Sequence, residues 1–323
     1  MSHECSSIRK VVVGVDGSEG SAAALRWATR LAAVSGAEVV AVHVIETSTY
    51  DIRPLGLPRT VLNEGDWREE IRDELAVRWC AALTGAGVRH RVRVEEGRAG
   101  PRLAEVAEQE QADVLVTGHR GLSGLEELVH GSVSVSVTHH APCPVVVMPA
   151  DPDAGSPAHD VGDVETKRAP AHRIVVGVDG GDAAARALHW AIDLATLLDA
   201  EVVAVYALQL PSYLLPRPGA ASWMPDMENW RRSLHQDFER SWCAPLAAAG
   251  VRYQTVFETG AAGDALLREA EARMADLIVT GSRGRGELVE LLAGSTSQRV
   301  VHGAHCPVVV VPPARVAATA ATA

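Results

Sequence analysis

At 323 residues, with 47% hydrophobic and 22% charged side chains, the chain is long enough for two domains with separate cores and too apolar to be disordered throughout. A formal charge of -11 with no Lys/Arg cluster argues against a protein that coats nucleic acid and points to small ligands or proteins as partners. No run reaches the length of a membrane span, MSHECSSIRK lacks the grammar of a signal peptide, and five cysteines, an odd number, fit a reducing compartment, so a cytoplasmic protein is expected.

In chain order, KVVVGVD reads as a strand, SAAALRWATRLAAVSG as an amphipathic helix and VVAVHVI as a second strand. WREEIRDELAVRWCAALTGAG follows as one helix, VRHRVRV as a strand, GPRLAEVAEQEQ as a helix and ADVLVTG as a fourth strand. A glycine-bearing stretch then leads into the helix SVSVSVTHHA and the strand PVVVMP. Nearly all-apolar strands alternating with helices predict a doubly wound α/β domain whose parallel strands are buried on both faces.

The pattern is then repeated. Cys80 and Cys243 lie 163 residues apart, and the same offset links Cys143 to Cys306, Asp16 to Asp179, Trp27 to Trp190, Trp67 to Trp230, Trp79 to Trp242, Gly118 to Gly281, Gly121 to Gly284 and Gly131 to Gly294. This is a tandem duplication of a whole domain. Residues 1–150 form the first domain, the polar Pro/Gly-bearing 151–170 a flexible linker, 171–313 the second domain and 314–323 a low-complexity, disordered tail.

In an open α/β sheet a ligand sits outside the carboxyl ends of the strands, where the strand order reverses. The Gly-bearing ends of strands one and four, Gly14 to Ser18 and Thr117 to Gly121, are placed to flank that point. A phosphate needs backbone N–H groups free of side-chain obstruction and a helix N-terminus. Gly118, Gly121 and Gly131 supply the first, and Ser132 and Ser134, at a helix start, supply the second together with hydroxyl donors. Asp16 and Asp179 read either as ligand groups for a ribose, an adenine edge or Mg²⁺, or as helix-capping turns. Arg120 and Arg283 read as phosphate contacts or as solvated cations.

Glycine, two residues, glycine, nine residues, glycine-serine, at Gly118, Gly121 and Gly131-Ser132 and again at Gly281, Gly284 and Gly294-Ser295, resembles the ATP-binding signature of the universal stress protein family. VVVGVDGS, IVVGVDG, CPVVVMP and CPVVVVP resemble that family's first and last strands, and the likeness covers nearly the whole chain outside linker and tail. The resemblance implies two tandem, Rossmann-like domains of five parallel strands each, packed as an intrachain pseudo-dimer through antiparallel last strands. It implies ATP as the cofactor, with or without Mg²⁺, one nucleotide per copy.

By that resemblance Gly14 and Asp16 lie against the nucleoside and the Val44 backbone meets the adenine edge. Gly118, His119, Arg120, Gly121 and Gly124, with Gly131, Ser132, Val133 and Ser134, wrap the phosphates, His119 as a less constrained spacer. The second set is Gly177, Asp179, Ala207, Gly281, Ser282, Arg283, Gly284, Glu287, Gly294, Ser295, Thr296 and Ser297. Gly181 stands where the first copy has Ser18, and Glu287 where it has Gly124, an extra carboxylate expected to weaken or reshape phosphate contact.

The Walker loop, G-x-G-x-x-G after the first strand, S-G-G-x-D-S and H-x-G-H are all absent, and no base–nucleophile pair stands out. His139-His140-Cys143 and His302-His305-Cys306 space their ligand types differently in the two copies, which argues against zinc, and Cys80 and Cys243 read as buried apolar residues. The function expected is a nucleotide-dependent sensor or regulator in the stress response, with a homodimer through the domain faces and an unidentified regulatory protein as partners. A nucleotide-free scaffold and a slow ATP hydrolase are the alternatives.

Overall fold

The computed structural model describes residues 8–46, 64–119, 132–149, 171–209, 227–282 and 295–313; the expected linker and tail lie outside them. The first copy runs β1 (Lys10–Gly14), α1 (Glu19–Ser35), β2 (Glu38–Ile45), α2 (Glu64–Glu74), α3 (Ala81–Gly85), β3 (His90–Glu96), α4 (Ala99–Gln109), β4 (Val114–Thr117), α5 (Ser132–His140) and β5 (Val145–Val147). Each element of the second copy begins 163 residues later: β6 (Arg173–Gly177), α6 (Asp182–Leu198), β7 (Glu201–Leu208), α7 (Met227–Asp237), α8 (Ala244–Ala249), β8 (Tyr253–Thr259), α9 (Ala262–Ala272), β9 (Leu277–Gly281), α10 (Ser295–Gly303) and β10 (Val308–Val311).

All ten strands form one sheet in the order β3-β2-β1-β4-β5-β10-β9-β6-β7-β8. Pairing within each copy is parallel, and the order reverses between β1 and β4 and between β6 and β9. The copies join through the antiparallel pair β5–β10, with Val146 opposite Val309. Each copy would otherwise end in an all-valine edge, and pairing the two removes both exposed edges.

Helices cover both faces. On the face of α1 and α6 a continuous apolar cluster crosses from one copy to the other, taking in Trp27, Leu31, Val146, Val309, Leu188 and Leu194. On the face of α4, α5, α9 and α10 the core divides into two clusters, one mainly from each copy. The shared cluster follows from sequence: α1 places Ala24, Leu25, Trp27, Ala28, Leu31 and Ala32 at helical spacing on its buried side. Ser18 caps that helix by accepting from Ser21 N, and Gly36 ends it at φ 72°, an angle that suits glycine.

The stretch read as one helix from Trp67 to Gly87 is interrupted in both copies. Leu75–Trp79 and Phe238–Trp242 are π-helical, closed by Cys80 N donating to Leu75 O and Cys243 N to Phe238 O, each at 3.0 Å. The wider turn rephases the helix that follows, so that Leu75, Phe238 and both cysteines are buried. It also sets Trp79 beside His43, at 5.4 Å between ring centroids, and Trp242 beside Tyr206, at 5.3 Å.

The outer strand β3 is guarded by charge. Glu110, at the C-terminal cap of α4 and largely covered, accepts from Arg93 Nη1 at 2.7 Å and Lys10 Nζ at 3.3 Å and pairs with Arg91. Its partial burial alone would raise its pKa, but the donors Arg93, Arg91 and Lys10 outweigh burial and hold it below the ordinary carboxylate value. Glu110→Ala is expected to cost about 1–3 kcal/mol, read as a lower urea midpoint at neutral pH. A depressed folded-state pKa stabilises above the unfolded value of 4.5, so the gap between wild type and variant should close as pH falls through the folded pKa.

Candidate functional site

At the carboxyl ends of β6, β7 and β9 the second copy opens a cleft. Gly177, Val178 and Asp179 form its floor where β6 ends, and Ala184 of α6 lies beside them. Sheet order places β6 between β7 and β9, so the two ends of the cleft differ in chemistry. On the β7 side stand Val205, Ala207, Ala262 and Leu266, an apolar end with Tyr206 at its edge. On the β9 side stand Thr280, Gly281 and the first turn of α10 with Thr296 and Ser297, an end rich in hydroxyls and backbone N–H groups.

Of the residues expected from sequence, the cleft gathers Gly177, Asp179, Ala207, Gly281, Thr296 and Ser297. Ser295 opens α10, as Ser132 opens α5. Arg120, Gly121, Gly124, Gly131, Arg283, Gly284, Glu287 and Gly294 lie outside the described residues. The α9 wall, Ala262 and Leu266, was not anticipated, nor were Val178, Tyr206 and Thr280. Nothing in the sequence marks that wall, although Gly97 and Gly260, just before α4 and α9, adopt φ of 127° and 128° and so enter those helices alike in both copies.

Asp16 and Asp179 have a turn role that the structure makes explicit. Asp16 Oδ1 accepts from Ser18 N at 3.0 Å and Ser18 Oγ at 2.5 Å, and Asp179 Oδ1 accepts from Gly181 N at 2.8 Å. Between each aspartate and its donor sits a glycine at positive φ, Gly17 at 82° and Gly180 at 75°. The exchange of Ser18 for Gly181 therefore removes one donor to the carboxylate and the side-chain cap of the following helix.

Gly118 and Gly281 are needed for packing. A Cβ at Gly118 would lie 2.8 Å from the Gly20 carbonyl carbon, and one at Gly281 2.9 Å from that of Ala183, so strand end and helix backbone meet with no room for a side chain. His119, expected to be a less constrained spacer in the phosphate loop, is buried and set edge-on to His302 of α10 at 5.8 Å between ring centroids. Ser134 Oγ donates to the His119 carbonyl at 3.4 Å, which ties α5 to the end of β4. Val133 lies in the first turn of α5 and packs on the core of its own copy. At the position matching His119, Ser282 is also buried. Gly14, Asp16 and Val44 occupy in the first copy the places of Gly177, Asp179 and Ala207, with β1 and β2 in the same register as β6 and β7.

Among the described residues no cluster of three His, Cys, Asp or Glu side chains is arranged to hold a metal ion. Cys143 is buried, and burial pushes the thiols up to about 11 at Cys80 and about 12 at Cys243 and Cys306. Thiolate is the reactive form, so these three cysteines are expected to resist alkylation in the native protein at mildly alkaline pH and to react once denaturant unfolds it, as peptide mass mapping will show. No described helix is long and apolar enough to cross a membrane.

A duplicated doubly wound sheet, with a cleft at its switch point and the two copies fused through their last strands, defines the class: a tandem α/β protein with ligand-binding topology. The chain belongs to the universal stress protein family, which it matches twice, over residues 7–149 and 170–312. It is 31% identical over 306 residues to universal stress protein Rv2005c of Mycobacterium tuberculosis, covering 93% of this chain and 96% of the relative. A universal stress protein of Mycolicibacterium smegmatis shows 31% identity over 306 residues, covering 94% and 97%. The fold agrees with the crystal structure of a universal stress protein from Archaeoglobus fulgidus, TM-score 0.64 at 22% identity over 94% of this chain and 96% of the other. It also agrees with that of a putative universal stress protein from Pseudomonas aeruginosa, TM-score 0.61 at 19% identity over 96% and 95%.

Proposed function

We propose that each copy holds one ATP at the carboxyl ends of its strands and that the chain acts as a nucleotide-dependent regulator of a stress response. The observation that carries this reading is the polarity of the second cleft. Its apolar end, Val205, Ala207, Ala262 and Leu266, suits a base, and its other end offers Thr280, Thr296, Ser297 and the start of α10 to phosphates. Asp179 between the two is the only carboxylate among the described lining residues, placed for a ribose hydroxyl or for a Mg²⁺ that travels with the phosphates.

That carboxylate already serves a turn, and no nucleophile–base pair lines the described part of the cleft, which favours holding a nucleotide over rapid turnover. The site is read as cytoplasmic, since the nucleotide is abundant there, with a protein partner that senses occupancy. Denaturing the freshly purified protein and identifying what it releases by mass spectrometry tests this reading, and adenine nucleotide is the expected product. A chain that releases none and binds none on titration is a scaffold instead, and phosphate release at ordinary enzyme rates in a single-turnover assay would make it a hydrolase.

A further inference from the structure

The strand ends of the two copies share a register and differ at the residue that follows the second strand of each copy. In the first copy Glu46, next after β2, folds back so that Oε1 accepts from Ala99 N at the start of α4, at 3.0 Å. In the second copy the same place, next after β7, is Gln209, whose side chain is exposed, and Ala262, the counterpart of Ala99, lines the cleft. By the repeat, the first copy's cleft lies at the ends of β1, β2 and β4, and Glu46, bonded to Ala99 N, stands on its β2–α4 side, which corresponds to the apolar, base-receiving end of the second cleft. We propose that Glu46 selects the base in the first cleft: with one carboxylate oxygen fixed by Ala99 N, the other accepts from an exocyclic amino group, and the second cleft lacks this selection.

A carboxylate is an acceptor with no proton to give near neutral pH, so a ring edge bearing an amino group gains a charge-assisted hydrogen bond and an edge without one gains nothing. The ligand class of the first cleft is thus a 6-aminopurine nucleotide, whereas the second cleft tolerates purines that lack the amino group. This inference rests on the nucleotide reading above. A residue that only caps α4 would affect stability without affecting base preference, so base preference is the property to measure.

The probes are ATP and purine riboside triphosphate, which carries hydrogen in place of the amino group, titrated calorimetrically into the full chain carrying Ala262→Trp to fill the second cleft. ATP is expected to bind the first cleft about ten- to a hundredfold more tightly than the analogue. Adding Glu46→Ala should bring the two affinities together, chiefly by weakening ATP. Gln209→Glu, at an exposed position of the otherwise unchanged chain, should create the same preference in the second cleft, and it serves where Glu46→Ala does not fold. Equal affinities in the Ala262→Trp chain, a preference that survives Glu46→Ala, or no new preference with Gln209→Glu would each overturn the role of Glu46 while leaving nucleotide binding intact. Absence of ATP binding to the wild-type chain would overturn both.

Discussion

Val309→Asp is expected to cost at least about 4–5 kcal/mol, enough to abolish cooperative unfolding of the chain as one unit. Val309 is fully buried at the centre of the ten-stranded sheet, opposite Val146 across the one antiparallel pair, and belongs to the apolar cluster that both copies share. A carboxylate there has neither water nor a cation, and protonating it still leaves a polar group in a wholly apolar site. The effect reaches both copies because their cores are continuous on the α1 and α6 face. Urea unfolding followed by tryptophan fluorescence and far-UV circular dichroism reads it: wild type should give one coincident transition, and the variant either none or two separated ones. A single transition within about 1 kcal/mol of wild type would mean that the β5–β10 seam does not hold the copies together.

Trp27→Ala is expected to destabilise by about 3–5 kcal/mol, while Trp190→Ala, its counterpart in the second copy, should cost about 1–2 kcal/mol. Among the described residues Trp27 is the largest fully buried side chain and packs in the shared cluster, whereas Trp190 is only partly buried against it. Trp27 Nε1 is buried with no hydrogen-bond partner among the described residues, so Trp27→Phe, which keeps most of the apolar bulk and removes that donor, should recover much of the loss. Thermal unfolding of the three variants ranks them directly, and equal losses at positions 27 and 190 would contradict the asymmetric packing.

That pair of tryptophans shows what the sequence makes legible. The offset of 163 residues predicts two copies of one α/β domain, and each element of the second copy begins that many residues after its counterpart. Strand identity is readable because runs such as Val11–Val13 and Val145–Val147 are buried on both faces and so carry no alternation. Repetition cannot reveal where the copies diverge in packing, since Trp27 and Trp190 are identical residues at matching positions and yet differ in burial. The π-helical turns at Leu75–Trp79 and Phe238–Trp242 also escape a periodicity reading, because one wider turn shifts the phase without breaking the apolar pattern.

The candidate site was legible to a similar degree. Strand ends and glycines point to Gly177, Asp179 and Gly281, because the topology of an open sheet fixes where strands stop, whereas Ala207 follows only from the family resemblance. Leu266 and Ala262 are ordinary apolar and small residues in a helix far along the chain, and only the fold brings them to the end of β7. Gly118 and Gly281 carry a constraint that spacing alone does not reveal, the backbone of α1 and α6 pressed against their α-carbons. Glu46 gives no motif at all; its place becomes visible only beside Ala99 N and in contrast with Gln209.

Calorimetric titration of ATP into the intact chain, repeated with Ala262→Trp, tests the central claim most directly. Two nucleotides bound per wild-type chain and one per Ala262→Trp chain is the predicted result. No binding to the wild type, or a stoichiometry that Ala262→Trp leaves unchanged, would contradict it.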